Sequence, residues 1–424
     1  MYLRRFCLFC CLAGWFLVTL NALNAQGDNW PTWRGPTDNG FAADARYPIE
    51  FDKQHHQLWS AAMPAHAGST PVVWGDRIFV TAVFPGPSDE VPGTNFARCL
   101  DMNGKELWTT KLGKERPGKH KKASGSNSSP VTDGKHVFVY FKSGEFACLD
   151  FDGQVVWQTN LQERFGEDTL WWDLGTSPVL TRDHVVVAVV QSGPSYLVAF
   201  DKATGEIGWK VDRMLDAPEE ANQTYSTPVV IDRGAEQILV MLGADHVTAH
   251  RASNGQELWR HGGMNPEQNG YFRSIASAVY SDGIVVVPYA RGKTLTALDM
   301  NGKVVWETDE LGSDVPTPAA RDGKVYLLTD RGQFICLDIK TGKQVWQTES
   351  PKSRQVFSAS PIVTSQSAYL AREDGTVYVV DMQGEQHEIK ATNELDEFTI
   401  ATPVLVDGKV LVRTSEALHC FGSN

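Results

Sequence analysis

The stretch Thr317–Trp346, TPAARDGKVYLLTDRGQFICLDIKTGKQVW, decides the fold of this 424-residue chain. Apolar residues alternate with polar ones over 324–329 and 333–338, a pattern typical of half-buried strands. Three turn signals separate the runs, DG at 322–323, DRG at 330–332 and KTG at 340–342. Glycine supplies the positive φ that tight hairpin turns need, so the stretch predicts four short antiparallel strands in one small sheet.

The same unit recurs along the chain at a spacing of about 40 to 50 residues, which is the mark of stacked or radial repeats. Each copy opens with Ser/Thr-Pro or a close variant: Thr70-Pro71, Ser129-Pro130, Ser177-Pro178, Thr227-Pro228, Ser277-Ala278, Thr317-Pro318, Ser360-Pro361 and Thr402-Pro403. Six copies close with Trp: Trp108, Trp157, Trp209, Trp259, Trp306 and Trp346. Eight units of four strands predict an all-β, eight-bladed β-propeller of four-stranded antiparallel blades.

The two ends of the repeat region complement each other. The eighth unit stops at ALHCF (417–421) before a fourth strand, whereas Trp59 has no repeat in front of it. Pairing these two segments would close the ring and remove exposed sheet edges. We therefore expect Gln57 to Ala61 to complete the last blade. The predicted domains are a signal peptide (1–25), an N-terminal strap with aromatics that fill grooves of the ring (26–56) and the propeller (57–424).

The first 25 residues have the pattern of a secretory signal: Arg4-Arg5, an apolar run from Phe6 to Leu20 and the segment NALNAQ. The run is shorter than the roughly 20 residues of a membrane-spanning helix. The sequence thus predicts export, to the periplasm or the exterior, with no membrane span after cleavage. Cleavage leaves 37 basic and 51 acidic residues, a net charge of 37 − 51 = −14, which argues against a nucleic-acid or anionic-membrane partner.

Four cysteines remain after residue 25, and each occupies the repeat position two residues before an Asp or its equivalent. They are Cys99, Cys148, Cys336 and Cys420. Other copies have Ala at this position, so Cys there is a small buried hydrophobe. Equivalent points on different blades lie too far apart for a disulfide, and we expect free thiols.

The segments AFDKATGEIGW (199–209) and CLDIKTGKQVW (336–346) resemble the tryptophan-docking motif of pyrroloquinoline quinone (PQQ)-type propeller repeats, A-x-D-x-x-T-G-x-x-x-W. The resemblance covers Trp59 to Phe421, and WPTWRGP (30–36) is similar to the opening segment of many such proteins. It implies the propeller fold, in which the Trp residues are packing anchors between blades. One propeller fold hosts many functions, so function has to come from the site.

Three functions fit this family resemblance. A quinoprotein dehydrogenase of alcohols or sugars would use PQQ, calcium and a vicinal disulfide, but the only adjacent Cys pair is Cys10-Cys11 in the signal segment. A non-catalytic, BamB-like scaffold would bind envelope proteins, and a related ligand-binding propeller would take a small molecule or saccharide. We expect non-catalytic binding by a monomer with no cofactor and no metal, since His55-His56 lacks further ligands at metal-site spacing. We also expect Asp173, Asp245 and Glu373 to be solvated, although each could face the centre of the ring.

The alternation of strand direction predicts where a partner binds. The inter-blade connections and the turns between second and third strands must emerge on one face, and the short hairpins on the other. The long connections bring aromatics and cations to that first face, which suits an anionic or sugar-like ligand or the carboxylates of an envelope protein. The predicted binding residues are Trp171, Trp172, Tyr225, Tyr271, Arg273, Arg291, Arg331, Arg354 and Arg372.

Overall fold

A computed structural model describes residues 29–88 and 91–422, and the signal segment 1–25 lies outside these residues. The described chain forms eight separate sheets of four antiparallel strands each. The predicted eight-bladed propeller is therefore confirmed. First strands of neighbouring blades contact one another, which places them around the central channel. Within the described ranges, no helix is both long enough and apolar enough to cross a membrane.

Blades 1 to 4 each use four consecutive strands, from the innermost to the outermost. These are β2 (Val72–Trp74), β3 (Arg77–Phe84), β4 (Thr94–Asp101) and β5 (Glu106–Lys114); β6 (Val131–Thr132), β7 (His136–Tyr140), β8 (Glu145–Asp150) and β9 (Val155–Asn160); β10 (Val179–Leu180), β11 (His184–Val189), β12 (Tyr196–Asp201) and β13 (Ile207–Asp212); β14 (Val229–Asp232), β15 (Gln237–Gly243), β16 (His246–Arg251) and β17 (Glu257–His261). Two short helices lie in connections, α1 (Leu161–Phe165) and a 3₁₀ turn (Glu219–Asn222).

Blades 5 to 7 repeat the arrangement, and blade 8 departs from it. The strands are β18 (Val279–Ser281), β19 (Ile284–Tyr289), β20 (Thr294–Asp299) and β21 (Val304–Thr308); β22 (Ala319–Arg321), β23 (Lys324–Leu328), β24 (Gln333–Asp338) and β25 (Gln344–Glu349); β26 (Ile362–Val363), β27 (Ser367–Ala371), β28 (Thr376–Asp381) and β29 (Ile389–Glu394); β30 (Val404–Val406), β31 (Lys409–Arg413), β32 (Ala417–Gly422) and β1 (Gln57–Ala62).

Blade 8 is closed by the N-terminal strand, as the sequence predicts. β1 pairs antiparallel with β32, with Trp59 opposite Cys420 and Ala62 opposite Ala417. The first and last strands of the propeller therefore share one sheet. This pairing satisfies the edge of β32 and joins the two ends of the ring without a covalent link.

Each closing tryptophan packs against the next blade. Trp59 donates from its indole N–H to the Met102 carbonyl (2.8 Å), beside the turn that contains Gly104. A Cβ at Gly104 would come within 2.6 Å of the Trp59 ring, so only glycine fits beneath the indole. The same contact joins Trp108, Trp157, Trp209, Trp259 and Trp306 to Gly153, Gly205, Gly255, Gly302 and Gly342. Trp346 has no such glycine and instead stacks on the His387 ring at 4.1 Å.

The small residue of the repeat lies directly across the sheet from the tryptophan. Cys99 faces Trp108 and Ala199 faces Trp209. A larger side chain would displace the indole from the neighbouring turn, which explains why the residue opposite each of these tryptophans is Cys or Ala. The four cysteines within the described ranges, one each in blades 1, 2, 6 and 8, are buried and free. Burial raises the pKa of the Cys336 thiol to about 11.

The strap crosses the central channel on the face that carries the hairpins between first and second strands. The Pro31 carbonyl accepts the N–H of Thr132 in blade 2 (3.0 Å). Three residues later, the buried Arg34 guanidinium donates to the carbonyls of Pro318 in blade 6 (2.5 Å) and Pro361 in blade 7 (3.1 Å). Blades 2 and 6 are opposite one another in a ring of eight, so the chain spans the channel here.

The strap then runs outward along blade 7 and is fixed to the seam with blade 8. Lys53 of the strap forms an ion pair with the buried Glu397 (2.5 Å). Glu397 also accepts hydrogen bonds from Thr414 and from His419 (2.9 Å). Burial alone would raise the pKa of Glu397, but these three partners outweigh burial and lower it. One carboxylate thus holds together the strap, the connection after blade 7, and the last turn and β32 of blade 8.

Candidate functional site

The hydroxyl groups that open the repeats form a closed belt around the channel. Each hydroxyl oxygen accepts the backbone N–H of the equivalent residue in the preceding blade, at 2.9–3.3 Å. The hydroxyl belt consists of Thr70, Ser129, Ser177, Thr227, Ser277, Thr317, Ser360 and Thr402. The proline that usually follows has no N–H, so this single bond satisfies the backbone donor at this point of the repeat.

A cavity of about 960 Å³ occupies the centre of the ring. The hydroxyl belt forms the wall of this cavity. Its mouth is formed by the inter-blade connections and by the turns between second and third strands, and Trp33 of the strap lines the opposite end. We call this cavity the funnel, and the side of the propeller at its mouth the connection face. The opposite side is the hairpin face.

Five of the nine predicted binding residues line the funnel: Trp172, Tyr225, Arg273, Arg291 and Arg331. The other four do not. Trp171, Tyr271 and Arg354 are exposed outside it, and Arg372 is engaged in its own turn by Asp374 (2.8 Å) and Tyr378 (2.6 Å). The nine predicted residues thus divide into five at the funnel and four outside it, because side chains on the same loops differ in exposure and in their partners.

Arg273 is part of an ion-pair network at the mouth of the funnel. Its guanidinium contacts Asp314 (2.9 Å) and Glu220 (3.5 Å), and Glu220 also accepts the indole N–H of Trp172 (2.8 Å). The Trp172 backbone N–H in turn donates to the Tyr225 hydroxyl (3.2 Å). Arg273 therefore orients the wall, and its substitution would leave two partly buried carboxylates unpaired.

Arg291 and Arg331 differ from Arg273 because, in the part of the chain that the structure describes, no acid pairs with their charges. They occupy the turns between second and third strands of blades 5 and 6, and both are exposed at the wall of the funnel. Neither guanidinium has an ion-pair or hydrogen-bond partner among residues 29–88 and 91–422. Nearby, burial raises the pKa of the Asp330 carboxyl, which accepts the backbone N–H of Asp314 (2.8 Å).

The prediction that Asp173, Asp245 and Glu373 are solvated was wrong. All three are buried, and each has a protein partner. Asp173 pairs with Lys142 and accepts the backbone N–H of His120 (2.8 Å), and Asp245 accepts from Asn265 (2.9 Å) and Tyr289. The partners are distant in sequence, so residue type alone gave no sign of these contacts.

Glu373 anchors the connection between blades 1 and 2 over the funnel. It forms an ion pair with Lys122 (2.7 Å), although the two residues are 251 positions apart. Three residues before Lys122, the same connection is held by Asp173, which accepts the backbone N–H of Lys119 (2.8 Å). The segment KERPGKHKKASGSN (114–127) thus reaches from blade 3 to blade 7 across the mouth.

The residues of the funnel do not fit a calcium-bound PQQ. Calcium takes about six to eight oxygen ligands, mainly carboxylates and carbonyls. Four carboxylates line the funnel with protein partners already in place: Asp173, Glu220, Asp314 and Asp330. In the part of the chain that the structure describes, no three His, Cys, Asp or Glu side chains converge on a metal-sized space. The four cysteines of that part are all in different blades.

Comparison with known proteins shows where the chain belongs. A family model described as outer membrane protein assembly factor BamB matches residues 93–277 and 243–423. The chain belongs to this family. The predicted resemblance to BamB-like propellers of the PQQ-type repeat is thereby confirmed.

Relatives of this family member are distant in sequence. Outer membrane protein assembly factor BamB of Bordetella pertussis is 22% identical over 333 residues, covering 76% of this chain and 76% of the relative. The crystal structure of BamB from Moraxella catarrhalis has a TM-score of 0.61 at 14% identity, covering 86% of this chain and 99% of that one. Quinohemoprotein alcohol dehydrogenase from Comamonas testosteroni has a TM-score of 0.67 at 14% identity, covering 94% and 81%. These structural matches show the fold alone.

Proposed function

We propose that this BamB-family propeller is an exported, non-catalytic, monomeric binding scaffold of the cell envelope. In this proposal residues 1–25 are a cleaved signal peptide, 26–56 the strap and 57–424 the propeller. Family membership supports the scaffold function, since the relatives are named as outer membrane protein assembly factors. The partner would be an envelope protein that binds the rim of the connection face. The rim consists of the exposed parts of the inter-blade connections outside the funnel, which carry Trp171 and Tyr271.

The rim has the composition of a protein-binding surface. Trp171 keeps 45% of its surface exposed and Tyr271 keeps 60%, on the connections that precede blades 3 and 5. Large exposed aromatics supply most of the binding free energy in many interfaces. These two exposed rings are the observation that carries the proposal.

Cations on the same face indicate the charge of the partner. Lys121, Lys352 and Arg354 are exposed on connections, and within the described ranges their charged groups have no ion-pair partner. They stand out on a protein with a net charge of −12. An acidic segment would bind these cations and pack its apolar residues on Trp171 and Tyr271.

The alternative, a PQQ-dependent dehydrogenase, has support from fold similarity alone. Four of the five carboxylates that line the funnel bind protein groups instead of presenting a calcium site. We therefore derive no catalytic step and assign no cofactor.

Photo-crosslinking tests the scaffold proposal. A photoreactive phenylalanine analogue is placed at Trp171 or Tyr271 in the full chain, expressed in its own cells, and the crosslinked proteins are identified by mass spectrometry. The matched control carries the analogue at Val345, which is 50% exposed on the outer strand β25. We expect the same envelope protein to be crosslinked from both rim positions and not from the control. No crosslink from either rim position, or equal crosslinking from all three, would overturn the proposal.

A further inference from the structure

The hydroxyl belt carries eight donors that the described residues leave unused. Each oxygen accepts one backbone N–H, and none of the eight hydroxyls donates to an acceptor within residues 29–88 and 91–422. Every member is at most 7% exposed, yet all eight line the funnel. Buried donors without acceptors are costly, so the wall is suited to a ligand with many acceptor oxygens.

The acceptors of the same cavity are mostly occupied. Of the carboxylates that line it, only that of Glu310 at the mouth has no protein partner among the described residues. A peptide in the funnel would bring backbone N–H donors that find few acceptors there. A saccharide suits the wall better, because its hydroxyl and ring oxygens accept from the belt while its own hydroxyls donate to water.

Trp33 gives the far end of the funnel an aromatic surface. Its position is fixed by the neighbouring Arg34, whose guanidinium lies 5.4 Å from the Trp33 ring and is held by carbonyls of two blades. Aromatic rings are the usual apolar surface of ligand pockets, and the C–H face of a sugar ring packs on them.

The guanidiniums of Arg291 and Arg331, which have no partner among the described residues, favour a ligand with negative charge. They lie on adjacent blades at the same wall, and a guanidinium binds a carboxylate through two parallel hydrogen bonds. The cavity volume of about 960 Å³ falls at the upper end of the range of about 300–1,000 Å³ for small-molecule sites. That space accommodates a short oligosaccharide, which would enter from the connection face because the strap crosses the other end.

We propose that the funnel binds an acidic oligosaccharide, a short chain of sugar rings that bear carboxylates. Its carboxylates pair with Arg291 and Arg331, its ring oxygens accept from the hydroxyl belt, and its innermost ring packs on Trp33. This inference rests on the proposed binding function of the connection face, but it uses residues inside the funnel and none of the rim.

Isothermal titration calorimetry on the full mature chain tests this proposal. The probes are trimers of galacturonate and of mannuronate, a glucuronate-containing hyaluronan tetrasaccharide, neutral maltotriose and triglutamate. We expect at least one acidic oligosaccharide to bind with a Kd below about 1 mM. The Arg291→Gln/Arg331→Gln double variant should bind it about tenfold or more weakly, as expected for the loss of charge-assisted hydrogen bonds.

Arg233→Gln is the matched control, because Arg233 is exposed in the hairpin between β14 and β15, on the opposite face and outside the funnel, and its guanidinium has no partner among the described residues. The control should bind like the unmodified protein, and maltotriose and triglutamate should bind more weakly than the acidic sugar. The proposal is overturned if no acidic oligosaccharide binds below that limit, if triglutamate binds more tightly, or if the control loses as much affinity as the double variant. Crosslinking from Trp171 and Tyr271 should persist in the double variant, so failure of the saccharide site and failure of the scaffold proposal are distinguishable.

Discussion

Substitution of Gly104 by alanine should be more harmful than the backbone conformation alone explains. Gly104 has φ of +80°, a region that costs other residues about 1–2 kcal/mol. In addition, the new Cβ would lie 2.6 Å from two atoms of the Trp59 ring. Overpacking of this kind costs about 1–3 kcal/mol, so we expect Gly104→Ala to lower the free energy of unfolding by about 2–5 kcal/mol.

Gly323 provides the matched control. Its φ is +74°, and nothing lies within 4 Å of the position that a Cβ would occupy. Gly323→Ala should therefore cost only the conformational term of about 1–2 kcal/mol. In a chain that already carries Trp59→Ala, the clash at Gly104 is gone, and Gly104→Ala should cost no more than this control.

The assay is urea denaturation of the four proteins of the Trp59/Gly104 double-mutant cycle, followed by far-ultraviolet circular dichroism. The predicted coupling free energy between the two sites is about 1–3 kcal/mol, which is the clash that they share. If the two substitutions were additive within about 0.5 kcal/mol, the indole would not be docked on the glycine turn, and the account of how blades join would be refuted.

Three further predictions concern the belt, the seam and the thiols. Thr227→Val removes the acceptor for the Ser177 N–H and should lower the free energy of unfolding by about 1–3 kcal/mol in the same assay, and no loss would contradict the belt. The Glu397 pKa is lowered by folding, so its contribution to stability is complete above its unfolded value of 4.5 and is lost as pH falls through the folded value. Thermal melts between pH 7 and 3 should thus show less pH dependence for Glu397→Gln than for the unmodified protein; equal slopes would count against the role of this carboxylate. The buried thiols should not react with a thiol reagent at pH 8 in the native mature protein, whereas all four should react after unfolding.

The fold could be predicted because its signals are local. The turn glycines, the small residue and the tryptophan lie within one repeat, and Trp59 could be assigned to blade 8 because one unit lacked its last strand. The Ser/Thr of the repeat was visible only as a boundary marker. Its role in the belt depends on a partner 40 to 59 positions away along most of the ring, and 332 positions away where the ring closes.

The candidate site was predictable only in part, because exposure and pairing depend on distant residues. Lys122 and Glu373 are brought together by the closure of the ring, and nothing near either residue indicates it. For Arg372 a local signal did exist. Asp374 follows it by two residues in the same turn, whereas Arg291 and Arg331 have no acid at that spacing on the C-terminal side. A search for an acid two residues after each turn arginine would have separated Arg372, which is paired, from Arg291 and Arg331, which have no partner among the described residues.

The central claim, that this propeller binds rather than catalyses, is tested most directly by reconstitution with PQQ and calcium. The mature protein is incubated with both, separated from free cofactor by gel filtration, and assayed for dye reduction with alcohols and sugars. Because four of the five carboxylates that line the funnel already have protein partners, we expect no quinone absorbance to elute with the protein and no substrate-dependent dye reduction. A stoichiometric quinone spectrum together with dye reduction by an alcohol or a sugar would contradict the claim and establish a quinoprotein dehydrogenase.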